Sequence, residues 1–126
     1  MKIPIPTKII RTDIFRDGGS LSVKFLEGDD GENEYELFLK IDSNKKFNNN
    51  IIDFNSVVLN HNYKYKYICQ MTGKEISGQK NISNNLSWNE AKDIVKNITK
   101  INFGINSTDV GLIKYIGNII SLKCDQ

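Results

Sequence analysis

The chain has 126 residues, of which 39% are hydrophobic and 25% charged, and a formal net charge of +2. Those proportions exclude the low-hydrophobicity, high-charge regime of disorder and suit a single modest core, so one domain over residues 1–126 is expected. No run approaches the ~18 apolar residues that span a bilayer, and M-K-I-P-I-P-T-K lacks the apolar stretch of a signal peptide, so a cytoplasmic location without membrane contact is the expectation.

Residues 8–15, K-I-I-R-T-D-I-F, read as a strand of irregular period. Over residues 20–26 the pattern is strict: Leu21, Val23 and Phe25 point one way, Ser20, Ser22 and Lys24 the other, as in a half-buried strand. Residues 34–41 repeat it, with Tyr35, Leu37, Leu39 and Ile41 on one face and Glu34, Glu36, Phe38 and Lys40 on the opposite one. The intervening loop carries Gly28 and Gly31, and an antiparallel hairpin follows. After a polar turn at residues 43–50, the positions Val57, Leu59, His61, Tyr63, Tyr65, Tyr67 and Cys69 share one parity. One straight strand of that length would run roughly 40 Å, long for a small domain, so a bend at Asn60-His61-Asn62 is expected, with His61 in the turn. Thr72-Gly73-Lys74 reads as the next turn and Glu75-Ile76-Ser77-Gly78 as a short return strand.

The character then changes. Ser87-Trp88-Asn89-Glu90 has the capping-box form, and Trp88, Ala91, Ile94, Val95, Ile98 and Ile101 recur at helical spacing, which predicts a helix ending near Ile101. Leu112, Ile113, Ile116, Ile119 and Ile120 fit a second helix begun near Ser107 or Thr108, weakened by Gly111 and expected to stop at Gly117. Strands followed by helices define an α+β domain: an antiparallel, meander-like β-sheet with one or two C-terminal helices packed on one face.

The densest chemistry lies in E-G-D-D-G-E-N-E-Y-E, residues 27–36, which holds six of the fifteen acids and leaves nine against seventeen bases elsewhere. An EF-hand calcium loop needs Gly at its sixth position, but counting from Asp29 or Asp30 gives Glu34 or Tyr35, so no metal is expected. Solvated carboxylates on a turn also lack the burial or close like charge that tunes a general acid, so no catalytic group is assigned. What a concentrated patch of one sign can do is steer a partner of the opposite sign. Glu27, Asp29, Asp30, Glu32, Glu34 and Glu36 are therefore the candidate partner-binding residues, with Tyr35 as an anchor among them. A plain solvated hairpin tip fits the same residues.

The run Y-K-Y-K-Y, residues 63–67, has the aromatic and basic interleaving of a single-stranded nucleic-acid site. Strand geometry separates Tyr63, Tyr65 and Tyr67 from Lys64 and Lys66, so the tyrosines are expected beneath the helix and the lysines in water, opposite Glu34 and Glu36 if the strands are neighbours. Single-stranded RNA binding by an open tyrosine face remains the alternative. His61 is the one histidine, and eight strand residues would hold it some 26 Å from Cys69, which argues against a Cys-His nucleophile. Met71-Thr72-Gly73-Lys74-Glu75 lacks the first glycine and the hydroxyl residue of a phosphate loop.

The layout resembles the small immunity proteins of bacterial toxin systems, including those paired with contact-dependent growth inhibition toxins. That resemblance rests on F-R-D-G-G-S-L-S-V-K-F-L followed by E-Y-E-L-F-L-K, and on the late L-S-W-N-E-A helix. It implies a stoichiometric inhibitor of a cognate toxin domain, without catalysis, cofactor or small-molecule substrate. Such toxins are often nucleases with basic clefts, which carboxylates complement; the net charge of +2 leaves the class of toxin open.

Overall fold

The strict alternation of Leu21, Val23 and Phe25 becomes the strand β2 (Ser20–Glu27), which buries all three side chains on one face. It pairs antiparallel with β1 (Lys8–Phe15) on one side and β3 (Asn33–Ile41) on the other. The meander continues through β4 (Phe54–Ile68) and β5 (Glu75–Leu86), so spatial order follows chain order, β1-β2-β3-β4-β5. Helices α1 (Trp88–Thr99) and α2 (Ser107–Cys124) complete the α+β arrangement expected from the sequence. A computed structural model of the chain describes residues 2–15, 20–28, 32–41, 54–101 and 107–125. The polar turn expected at residues 43–50 lies outside the described residues.

Register explains where the core forms. Leu21 stands opposite Leu39, Val23 opposite Leu37 and Phe25 opposite Tyr35, while Leu37 and Leu39 face Leu59 and Val57 across the next pair. One sheet face is thus apolar over its middle, and the helices cover it. Ala91, Ile94, Val95 and Ile98 of α1 and Ile113, Ile116, Ile119 and Ile120 of α2 are buried against these residues. Each fully buried aliphatic side chain is worth about 1.5–3 kcal/mol relative to exposure. The hydroxyl of Thr12, on β1, donates to the Asp109 carboxylate of α2 and ties the second helix to the sheet's first edge.

The capping box forms as the sequence predicts. Ser87 Oγ accepts from the Glu90 backbone N–H at 3.1 Å, and Glu90 Oε1 accepts from the Ser87 N–H at 3.0 Å. α1 closes at Thr99, two residues before Ile101, with the Lys100 and Ile101 amides donating to the Asn97 and Ile98 carbonyls.

Three expectations need correction. β4 is one strand of 15 residues with no turn at Asn60-His61-Asn62, and His61 sits within it. The size argument assumed that the strand had to stay inside the domain. Instead β4, about 50 Å long at ~3.3 Å per residue, runs past the end of β3, whose first residue, Asn33, stands opposite Tyr63. β5, of 12 residues rather than the four from Glu75 to Gly78, follows β4 in unbroken register from Ile68↔Glu75 to Val57↔Leu86. The two form a projecting ribbon. Finally, α2 extends through Gly111 and Gly117 for 18 residues. Gly117 does not stop it, because that glycine lies against α1: a Cβ there would stand 3.3 Å from Val95 Cγ1. Among the described residues, no helix is long and apolar enough to cross a membrane.

Candidate protein-binding surface

The acidic stretch divides between two faces of the sheet. Gly28, at φ 86°, turns the chain out of β2 in a left-handed conformation that suits glycine. Asp29, Asp30 and Gly31 lie outside the described residues. Glu27, on the inner, helix-bearing face, is tied down: its Oε2 accepts the Ile5 N–H at 3.0 Å. Glu32 is exposed, and its carbonyl accepts the Lys64 N–H at 3.0 Å, extending the ladder by one step.

Glu34 and Glu36 point to the outer face. Their cross-strand neighbours are Leu26 and Lys24 on β2 and Asn62 and Asn60 on β4. Lys24 Nζ lies 4.0 Å from Glu36 Oε2, Asn60 Nδ2 donates to Glu36 Oε1 at 2.9 Å, and Ser83 Oγ donates to Asn60 Oδ1 at 2.6 Å. A polar row therefore crosses four strands. Beside it Glu34, Asn62 and Asn81 line a shallow concavity with Glu36, Asn60 and Lys24. Glu34 has no ion-pair partner among the described residues, and Asn62 Oδ1 is buried with no donor. The site holds more acceptors than donors.

Tyr35 is not among these groups. It lies on the inner face, half-buried between Phe25 at 5.5 Å and His61 at 4.2 Å between ring centroids, in near-parallel stacks. Burial pushes its hydroxyl above the ordinary tyrosine range, and the Glu27 carboxylate adds to the shift. His61 Nε2 donates to Asn33 Oδ1 at 2.8 Å, and its ring meets Tyr63 edge-on. The histidine expected in a turn is thus part of an aromatic column across β2, β3 and β4. The sheet separates Tyr35 from Glu34 and Glu36, while Glu27 shares its face.

The tyrosines expected beneath the helix lie beyond it. Tyr63 is 40% and Tyr67 54% exposed on the inner face of the ribbon, where Ile76 and Ile82 of β5 join them at 37% and 47%. Lys64 and Lys66 are exposed on the other face, and neither stands opposite Glu34 or Glu36; Lys66 Nζ pairs with Glu75 at 2.8 Å. Lys80, which sequence reasoning passed over, stands opposite Tyr63 and 5.9 Å over the Tyr65 ring. Its parity is legible once β5 is known to reach Leu86. Asn60, Asn62 and Asn81 were missed for the same reason, being assigned to turns or left unassigned.

Cys69, at the ribbon's end, and Cys124, on α2, are free thiols. The Thr72 hydroxyl and amide and the Met71 amide hold the Cys69 thiol below its usual range. Among the described residues, no three of His, Cys, Asp and Glu group so as to hold a metal ion. Comparison with known proteins adds no relative: no family model matches the sequence, and no curated protein or solved structure is similar to it.

Proposed function

We propose that the protein is a non-catalytic binding module, an immunity protein that docks on a cognate bacterial toxin domain and neutralises it. The observation that carries this reading is the surplus of carboxylates at one end of the sheet, where exposed Glu32 and Glu34, which has no ion-pair partner among the described residues, adjoin the acidic stretch. Such a surface calls for donors and positive charge, which a basic protein supplies through Lys and Arg. Glu27, already bonded to the Ile5 amide, holds the N-terminal segment against the end of β2. Tyr35 supports the surface from behind, through its stack on Phe25.

The partner is sought as the toxin domain encoded beside this reading frame. Against that domain, replacing Asp29, Asp30, Glu32 and Glu34 by Asn or Gln lowers the association rate about tenfold at low salt and flattens its salt dependence. Association kinetics unchanged by all four substitutions overturn the reading. A second reading is single-stranded RNA binding, favoured by exposed Tyr63 and Tyr67 with Lys80 on the same face. It predicts a salt-sensitive gel shift with an oligouridine that weakens in Tyr63→Ala and Lys80→Gln; no complex at low salt removes it.

A further inference from the structure

Among the described residues the sheet has two unpaired edges, and they are built differently. β1 is eight residues long, its pairing slips between Ile9 and Arg11, and it carries the Arg11–Asp13 ion pair. Irregularity and charge are what blunt an edge against further pairing. β5 is less protected: its 12 residues contain no proline and keep one register throughout, and Lys80 is its one interior charge. Among the described residues no strand pairs with its outer edge. We propose that this edge pairs with the same edge of a second copy, antiparallel about a two-fold axis, joining two five-stranded sheets into one.

The sequence of β5 selects the register. Two-fold antiparallel pairing keeps the inner faces on one side, so Ile76, Gly78, Lys80 and Ile82 must oppose one another. A register centred on Lys80 sets ammonium against ammonium, which is unfavourable. Centring on Gly78 places Ile76 opposite Lys80. Centring on Gln79 sets each copy's Ile76 opposite the second copy's Ile82, so all four half-exposed isoleucines gain an apolar neighbour. Ser77 then meets Asn81, Glu75 meets Ser83, and Gly78 meets Lys80. The last pairing fits the local packing, because Tyr65 lies across Gly78 so closely that a Cβ there would run into its hydroxyl. The Tyr65 hydroxyl consequently reaches toward the edge where the second copy's Lys80 arrives. α1 starts at Trp88, just past the end of β5, and the two-fold relation sends the two α1 helices to opposite ends of the joined strands. They leave the joint open.

This inference rests on the β5 edge and is independent of the acidic hairpin. Sedimentation of the full chain from about 1 µM to about 500 µM should show the mass doubling with concentration, as a reversible dimer requires. The variant Ile76→Lys/Ile82→Lys should stay monomeric with an unchanged circular dichroism spectrum. Register is read by cysteine placement in a Cys69→Ser/Cys124→Ser background. Gln79→Cys, on the axis, should form a disulfide-linked dimer under mild oxidation. Ser77→Cys should not, since its two copies would stand ~13 Å apart, beyond the ~7 Å limit for a bridge. A monomeric mass across the whole range overturns the proposal, as does cross-linking of Ser77→Cys to the same extent as Gln79→Cys.

Discussion

At the scale of single residues, the start of α1 shows how two side chains do several jobs. Four amides at a helix N-terminus have no intrahelical acceptor; Ser87 Oγ takes one of them, and the Glu90 carboxylate returns to the Ser87 amide. Replacing Ser87 by Ala should cost about 1 kcal/mol, measured by urea unfolding. The Ser87 amide and hydroxyl together hold the Glu90 carboxyl below its usual range. A carboxyl whose pKa is depressed by folding contributes stability above its unfolded pKa and loses it as pH falls through the folded value. Glu90→Gln should therefore melt below the parent protein at neutral pH, and the gap should close at pH values under the ordinary carboxylate range of about 4.3. A gap of constant size across that window would mean that the ionised form of Glu90 does not matter. The box was legible from S-W-N-E alone because every group in it lies within four residues. Other residue roles were not local in this way: the stack that claims Tyr35 depends on His61, 26 positions later in the chain, and on the register that brings it alongside.

Among the elements, α2 carries two glycines whose environments differ. Among the described residues nothing lies within 4 Å of a Cβ built on Gly111, whereas Val95 Cγ1 would be 3.3 Å from one on Gly117. Glycine inside a helix costs roughly 0.5–1 kcal/mol relative to alanine. Gly111→Ala should thus stabilise the protein by about that amount, while Gly117→Ala should gain little or nothing, because the helices must part or Val95 must turn. Denaturant midpoints of the two variants decide it, and equal gains would show that the helices do not approach closely at Gly117. The same contrast explains why the sequence misplaced the end of α2: propensity counts both glycines as weak points, and only the packing of α1 shows that one of them is a close-approach site. β2, β3 and α1 were legible because their periods follow from a single buried face. The length of β4 was not, since an alternating pattern says which way side chains point and nothing about where the neighbouring strand stops. β5 was equally hidden, its run S-G-Q-K-N-I-S-N-N offering few apolar residues, because it needs to cover only one partner strand.

For the molecule as a whole, the governing fact is that two helices cover a sheet longer than they are. The covered part holds the core, from Leu21 and Leu39 to Val57 and Leu59; the uncovered part holds the acidic end, the tyrosines and the ribbon. The charge asymmetry was visible in the sequence, and so was the outward direction of Glu34 and Glu36, but the place of Glu27 on the inner face was not, because the loop was expected to begin there. Which tyrosines stay exposed was not, since that depends on where helices distant in sequence come to rest. This division should also set local stability. Breaking the inner end of β4 exposes Phe54, Val57 and Leu59 and with them the whole core, so their amides open only with global unfolding. Opening the outer end uncovers little: Tyr67 and Ile68 are already 54% and 68% exposed, and a two-stranded ribbon is marginally stable by itself. Within this one strand, at micromolar concentrations where a second copy has dissociated, the amides of residues 66–68 should exchange with deuterium at least ~100-fold faster than those of residues 57–59. Uniform protection along β4 would mean that the ribbon belongs to the same cooperative unit as the core. A steep gradient leaves the tyrosine-bearing end free to adjust to whatever docks there, without any loss of the fold that presents it.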